Sequence, residues 1–134
     1  MIKIVVAVVL LAHGIGHVLG PLQVAKVAQV DPSWTGDSWL LTGVTGQTFS
    51  NLIGLVLWIA AMVGFVAAAA VVMGWLPASW WVPLAVGSSV VSLLAIVLFP
   101  TAFPATSTVA AAVVDIAVLV GVIGLKWTPV ALPA

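Results

Sequence analysis

Four apolar runs, each closed by glycine, proline or tryptophan, constrain this chain more than any other feature. They cover residues 2–20, 49–74, 82–99 and 107–125 approximately. Each is long enough, as a helix, to cross a hydrocarbon core of about 30 Å. Charged residues make up 4% of the 134 residues, against about 25% in soluble domains. The whole charge is Lys3, Lys26, Lys126, Asp31, Asp37 and Asp115. In lipid, backbone polar groups must be satisfied within the spanning segment, so such runs become helices. The expected fold is therefore all-α: one integral membrane four-helix bundle, with no room beside it for a soluble domain.

The composition also removes several function classes. Three scattered lysines make no basic patch for nucleic acid. The absence of cysteine removes thiolate metal sites, Cys-ligated clusters and c-type haem attachment. The start of the chain, Lys3 followed by an apolar stretch, has the outline of a signal peptide. The apolar character continues past Ala12 to Leu19, so the stretch reads as a retained first span.

Between the spans the chain carries polar connections. Gly20-Pro21 predicts a break, because proline has no N–H for the helix. Gln23, Lys26 and Gln29 recur every three residues over 22–30, which predicts a short amphipathic helix lying in the interface, the alternative being one long kinked helix that reaches past the membrane. The stretch from Asp31 to Ser38 reads as a loop. Residues 39–46 fit a surface helix or a dip into the membrane. Thr48 or Ser50 suits a cap for the second span, and Thr106 or Ser107 for the fourth. Pro83 fits the first turn of the third.

Four spans put both ends of the chain on one side. Trp75, Trp80, Trp81 and Trp127 fall on that side, and Trp34 and Trp39 on the other, as interfacial belts require. Trp58 alone lies within a span, where it can face lipid, a pigment or a partner. Lys3 and Lys126 against Lys26 favour cytoplasmic termini in a cell inner or plasma membrane.

The two histidines of the chain, His13 and His17, stand four residues apart in the first span. On a helix they share one face, about 6 Å apart. Helix rise puts His13 and Ser92 about 10 Å, and Asp115 about 12 Å, from the side opposite the termini. A polar layer follows in which His13 hydrogen-bonds Asp115, with Ser92 or Ser88 nearby. Ionisable groups at such depth face an interior, a partner or a cavity.

This set is open to several chemistries. His13, His17 and Asp115 offer ligands for a metal, although zinc asks for four ligands or three plus water. Haem b needs a second axial ligand from another copy or a partner, since both histidines lie on one span. Quinone contact near His17 and proton relay between Asp115 and histidine complete the set. Ser92, His13 and Asp115 read as interhelical hydrogen-bond partners rather than a hydrolase triad, because no Gly-x-Ser-x-Gly turn accompanies them.

Small residues mark packing faces. Gly16 and Gly20 in the first span, Gly64 in the second, and Gly121 and Gly124 in the fourth let helices approach closely in lipid. A face not used inside the bundle is free to dock on another membrane subunit or a second copy.

The run Leu-Leu-Ala-His-Gly-Ile-Gly-His-Val-Leu-Gly (10–20), with a serine-containing third span ending in Phe99 and Thr108 to Asp115 entering a fourth, resembles a loose group of small bacterial four-span membrane proteins. Their first helix carries a similar His-Gly-x-x-His-x-x-Gly stretch, and some are labelled permeases. The resemblance implies four spans and draws attention to His13 and His17; it carries no catalytic residue across.

Two functions are thus expected. One is a non-catalytic accessory subunit within a larger membrane complex, respiratory or photosynthetic electron transfer being the natural hosts. The other is a self-contained site at His13, His17 and Asp115, with Ser92, for a metal, haem, quinone or protons.

Overall fold

The computed structural model describes residues 1–129. Helix α1 covers Ile2–Gly16 and α2 covers Leu19–Val24; α3 is the short Thr42–Thr45 and α4 the long Gln47–Val72. A single 3-10 turn at Ala78–Trp80 leads into α5, Trp81–Leu98. Helix α6, Ala105–Leu119, ends in one π turn, Val120–Gly124. Four helical stretches are long and apolar enough to cross a membrane: Ile2–Val24, Gln47–Val72, Ala78–Leu98 and Ala105–Gly124.

The arrangement is a bundle built on α4. Helix α1 and helix α5 pack on α4, and α6 packs on α5. Within the apolar window of each span, 39% of α4 is buried but only 11% of the fourth span. So α4 is the hub and α6 the outermost helix. Helices α1 and α6 have little packing between them.

Close approach along α4 depends on small residues facing large ones. A Cβ on Gly14 would come within 2.9 Å of the Phe65 Cβ, and one on Gly64 within 2.7 Å of the Ser88 Cβ. A Cβ on Gly20 would run into the Trp58 ring. Two apolar clusters result. Leu10, Phe65, Val71, Val72, Trp81 and Ala85 fill the half nearer the termini. Trp58, Ala95, Phe99 and Ala102 fill the other.

Several local expectations are corrected. The first span does not break at Gly20-Pro21. Pro21 lies inside α2, and the irregularity falls one turn earlier, at His17 and Val18. The reason is the missing proline N–H: the His17 carbonyl is bonded instead by the Gly20 N–H at 3.2 Å, a tightened turn. No helix covers 22–30. It stops at Val24, and Lys26 takes a left-handed φ of 58°. Gln23, expected on a polar outer face, points inward. Its Nε2 donates to the Ala102 carbonyl at 2.7 Å, and its Oε1 accepts from the N–H groups of Val30 and Asp31. Trp58 does not stand out from the bundle; it is 2% exposed, between Trp34, Phe99 and Phe103. Trp81 is likewise buried. The helix starts at 47 and 105 follow Gly46 and Pro104 and have no side-chain cap.

The 31–46 connection covers the end of α5. Ser38 Oγ and Trp39 Nε1 donate to the Leu98 and Val97 carbonyls, each at 2.6 Å, meeting acceptors that a helix end leaves unpaired. Within the loop, the Ser33 hydroxyl and N–H both donate to Asp31, holding its carboxyl below the usual carboxylate range. Residues 42–45 form one exposed turn of helix on the surface.

Candidate functional site: a buried histidine–serine–aspartate chain beside a lateral groove

Three helices contribute to one hydrogen-bonded chain. Helix α1 presents His13, and His17 follows one turn on as the residue that ends it. Helix α5 presents Ser92 and α6 presents Asp115. His13 Nε2 is 2.9 Å from Asp115 Oδ1. Ser92 Oγ donates to Asp115 Oδ2 at 2.6 Å and lies 3.1 Å from His17 Nε2. Asp115 and Ser92 are fully buried, and His17 is 7% exposed. Phe65 of α4 backs the pair: its ring centroid is 4.5 Å from that of His13 and 6.1 Å from that of His17.

Donor inventory sets the directions. A serine hydroxyl has one proton, and with Asp115 as the carboxylate Ser92 gives it to Asp115. His17 Nε2 therefore donates to Ser92 Oγ. With Asp115 as the carboxylate, which only accepts, His13 Nε2 also donates. Both Asp115 oxygens are thus engaged, which is how a carboxyl group at membrane depth is accommodated. Ser88, the alternative member of the layer, is not part of the chain; its hydroxyl donates to the Leu84 carbonyl of its own helix at 2.6 Å.

This wiring differs from that of a nucleophilic triad. There, serine donates to histidine and histidine to the carboxylate. Here the Ser92 proton goes straight to Asp115. A metal is also poorly served: among the described residues no group of three His, Cys, Asp or Glu is arranged to hold one. The two imidazoles are edge-on, 5.0 Å between centroids, on one side of one helix, so they do not flank a haem from opposite faces.

Beside the chain runs a groove of about 530 Å³ between α1 and α6. Its lining includes His13, Gly16 and His17 on one wall, Ala110, Ala111 and Val114 on the other, with Trp58 and Phe103. It exists because α1 and α6 do not pack; the His13–Asp115 bond spans the gap. A second, more polar hollow of about 670 Å³ lies at the end of the bundle, among Gln23, Lys26, Asp31, Gln47 and Asn51.

The glycines of the expected packing faces divide. Gly20 and Gly64 lie against Trp58 and Ser88 inside the bundle. Around Gly16 a Cβ would meet nothing within 4 Å, and Gly121 and Gly124 are nearly as open. Sequence reasoning missed Gln23, which ties the first span to the 100–104 connection, and Gly14, which receives Phe65; Gly54, one of the small residues of the second span, receives Phe99 as close packing requires. Gly14 lies inside the His-Gly-x-x-His stretch, where the histidines drew the attention.

Compared with models of known families, with characterised proteins and with solved structures, the chain finds no match. What the sequence and fold establish together is a small multi-pass membrane protein with an all-helical, four-span bundle.

Proposed function

We propose that this protein is a binding protein of the bilayer, whose lateral groove takes a lipid-soluble molecule with its polar end on His13 and His17. One observation carries the reading: two imidazoles, held in place by Asp115 and Ser92, line an otherwise largely apolar groove of about 530 Å³. Ligand sites commonly have this volume and this balance of apolar wall and few polar groups. Lipid-soluble molecules with a small polar head, quinones and their reduced forms among them, belong to the class that reaches such a groove through the membrane; which head it takes is a separate question. The role is binding, and the hydrogen-bonded chain orients the imidazoles.

The test is extraction in a mild detergent, followed by native mass spectrometry of the intact protein. The reading expects a bound small molecule that is lost in Gly16→Leu. Gly16 lines the groove without touching other helices, so leucine fills the space and leaves the bundle intact. Protein that carries no small molecule in either form overturns the reading.

A second reading, an accessory subunit of a larger membrane complex, is favoured by a different observation. The fourth span is 11% buried and has Gly121 and Gly124 open, the kind of small-residue face on which another span packs. Respiratory and photosynthetic complexes are hosts of suitable chemistry, and a second copy of this chain is the other candidate partner. Lys3 and Lys126 against Lys26 support cytoplasmic termini in a plasma or inner membrane. Under this reading Gly121→Leu abolishes co-migration with partners on a native gel, and Gly16→Leu does not.

A further inference from the structure

The hydrogen-bond directions within the buried chain constrain the head of whatever occupies the groove. With Asp115 as the carboxylate, Ser92 gives it its one proton, and His17 then donates from Nε2. His13 donates from Nε2 to the Asp115 carboxylate. In a neutral imidazole, a proton on Nε2 leaves Nδ1 as an acceptor. Neither Nδ1 has a partner among the described residues, and neither is among the buried polar atoms left unpaired, which are Asn51 Oδ1, Trp81 Nε1 and Ser89 Oγ. Each Nδ1 therefore keeps some exposed surface, and both histidines line the groove.

A pair of acceptors selects a head that donates. A carbonyl head, as in a quinone, meets lone pairs with lone pairs. A hydroxyl head supplies the missing proton. The walls add a second criterion. Trp58 and Phe103 line the groove, their centroids 5.8 Å apart and edge to face, and aromatic rings pack well against such walls. We infer that the groove selects a lipid-soluble phenol or hydroquinone, whose hydroxyl donates to an imidazole Nδ1 of His13 or His17. This rests on the groove reading above and deepens it by naming the chemistry of the head.

The experiment uses the full-length protein in nanodiscs and three probes of similar size: 4-nonylphenol, its methyl ether 4-nonylanisole, and dodecan-1-ol. Each is titrated by its quenching of tryptophan fluorescence or by displacement of the phenol. The inference expects the phenol to bind at least about tenfold tighter than the ether, the worth of one hydrogen bond in a water-poor site. It also expects the phenol to bind tighter than the aliphatic alcohol, and phenol binding to be lost in Gly16→Leu. Equal binding of phenol and ether, abolished by Gly16→Leu, overturns the donor requirement while the groove reading stands. Equal binding of phenol and alcohol overturns the aromatic head. No saturable binding of any probe, or binding indifferent to Gly16→Leu, overturns the groove reading and this inference with it.

Discussion

The two sides of the first span, α1 with α2, are held in different ways. Toward α4 the contact is steric: Gly14 receives Phe65 and Gly20 receives Trp58. Toward α6 there is little packing, and the tie is the His13–Asp115 bond, supported by Ser92. In lipid, helices gain nothing by hiding apolar surface from lipid tails, so close packing and interhelical hydrogen bonds share the work. Where packing is complete, the protein has no space. Where a polar bridge replaces it, space is left beside the bridge. The groove and the hydrogen-bonded chain are two aspects of that substitution.

The largest expected effect breaks the packed side. Gly20→Leu forces the Trp58 ring aside and disturbs the Trp34, Phe99 and Phe103 cluster; a loss of about 3 kcal/mol is expected, the upper range for overpacking, read as unfolding in detergent. Next comes the bridge. Asp115→Leu leaves His13 and Ser92 without their acceptor and costs about 1–2 kcal/mol by the same assay. A double-mutant cycle of His13→Ala with Asp115→Ala sharpens this, with an expected coupling of about 0.6 kcal/mol; a coupling of zero means that the bridge does not hold α6. Gly16→Leu comes third, since its Cβ meets nothing. Stability should stay within about 0.5 kcal/mol, and a shift larger than Asp115→Leu would show that the groove wall is packed after all. The smallest effect lies outside the membrane. Ser33→Ala removes the hydroxyl that lowers the Asp31 carboxyl, so its titration, followed by NMR, moves up toward the ordinary range. A carboxyl lowered by folding favours the folded loop at neutral pH, and that contribution is lost as pH falls through the folded value. The mutation narrows it, and an unmoved titration would show that Ser33 does not hold Asp31.

The sequence was most legible where one physical rule acts alone. Run length and hydropathy locate four helices, and helix rise alone puts His13, Ser92 and Asp115 at one depth before any packing is known. Less legible were residues whose surroundings come from far along the chain. Gln23 sits at amphipathic spacing with Lys26 and Gln29, which suggests water, yet its partner is the carbonyl of Ala102. Trp58 looks the same from sequence whether it meets lipid or Phe99. The irregularity at His17 was read four residues late, because proline's effect falls on the carbonyl one turn before it. The glycines carried a mixed signal: a small residue marks close approach at Gly20 and open space at Gly16, and no local pattern separates the two.

The His13–Asp115 bond joins positions 102 residues apart, on α1 and α6. A ribosome delivers Asp115 102 residues after His13. Until α6 enters the membrane, the imidazoles of α1 wait in the bilayer without the aspartate that occupies them. A chain that stalls before the fourth span displays an unsatisfied polar pair in its first. The bond thus records that α6 has joined α1, and a copy lacking α6 differs chemically at the same two histidines.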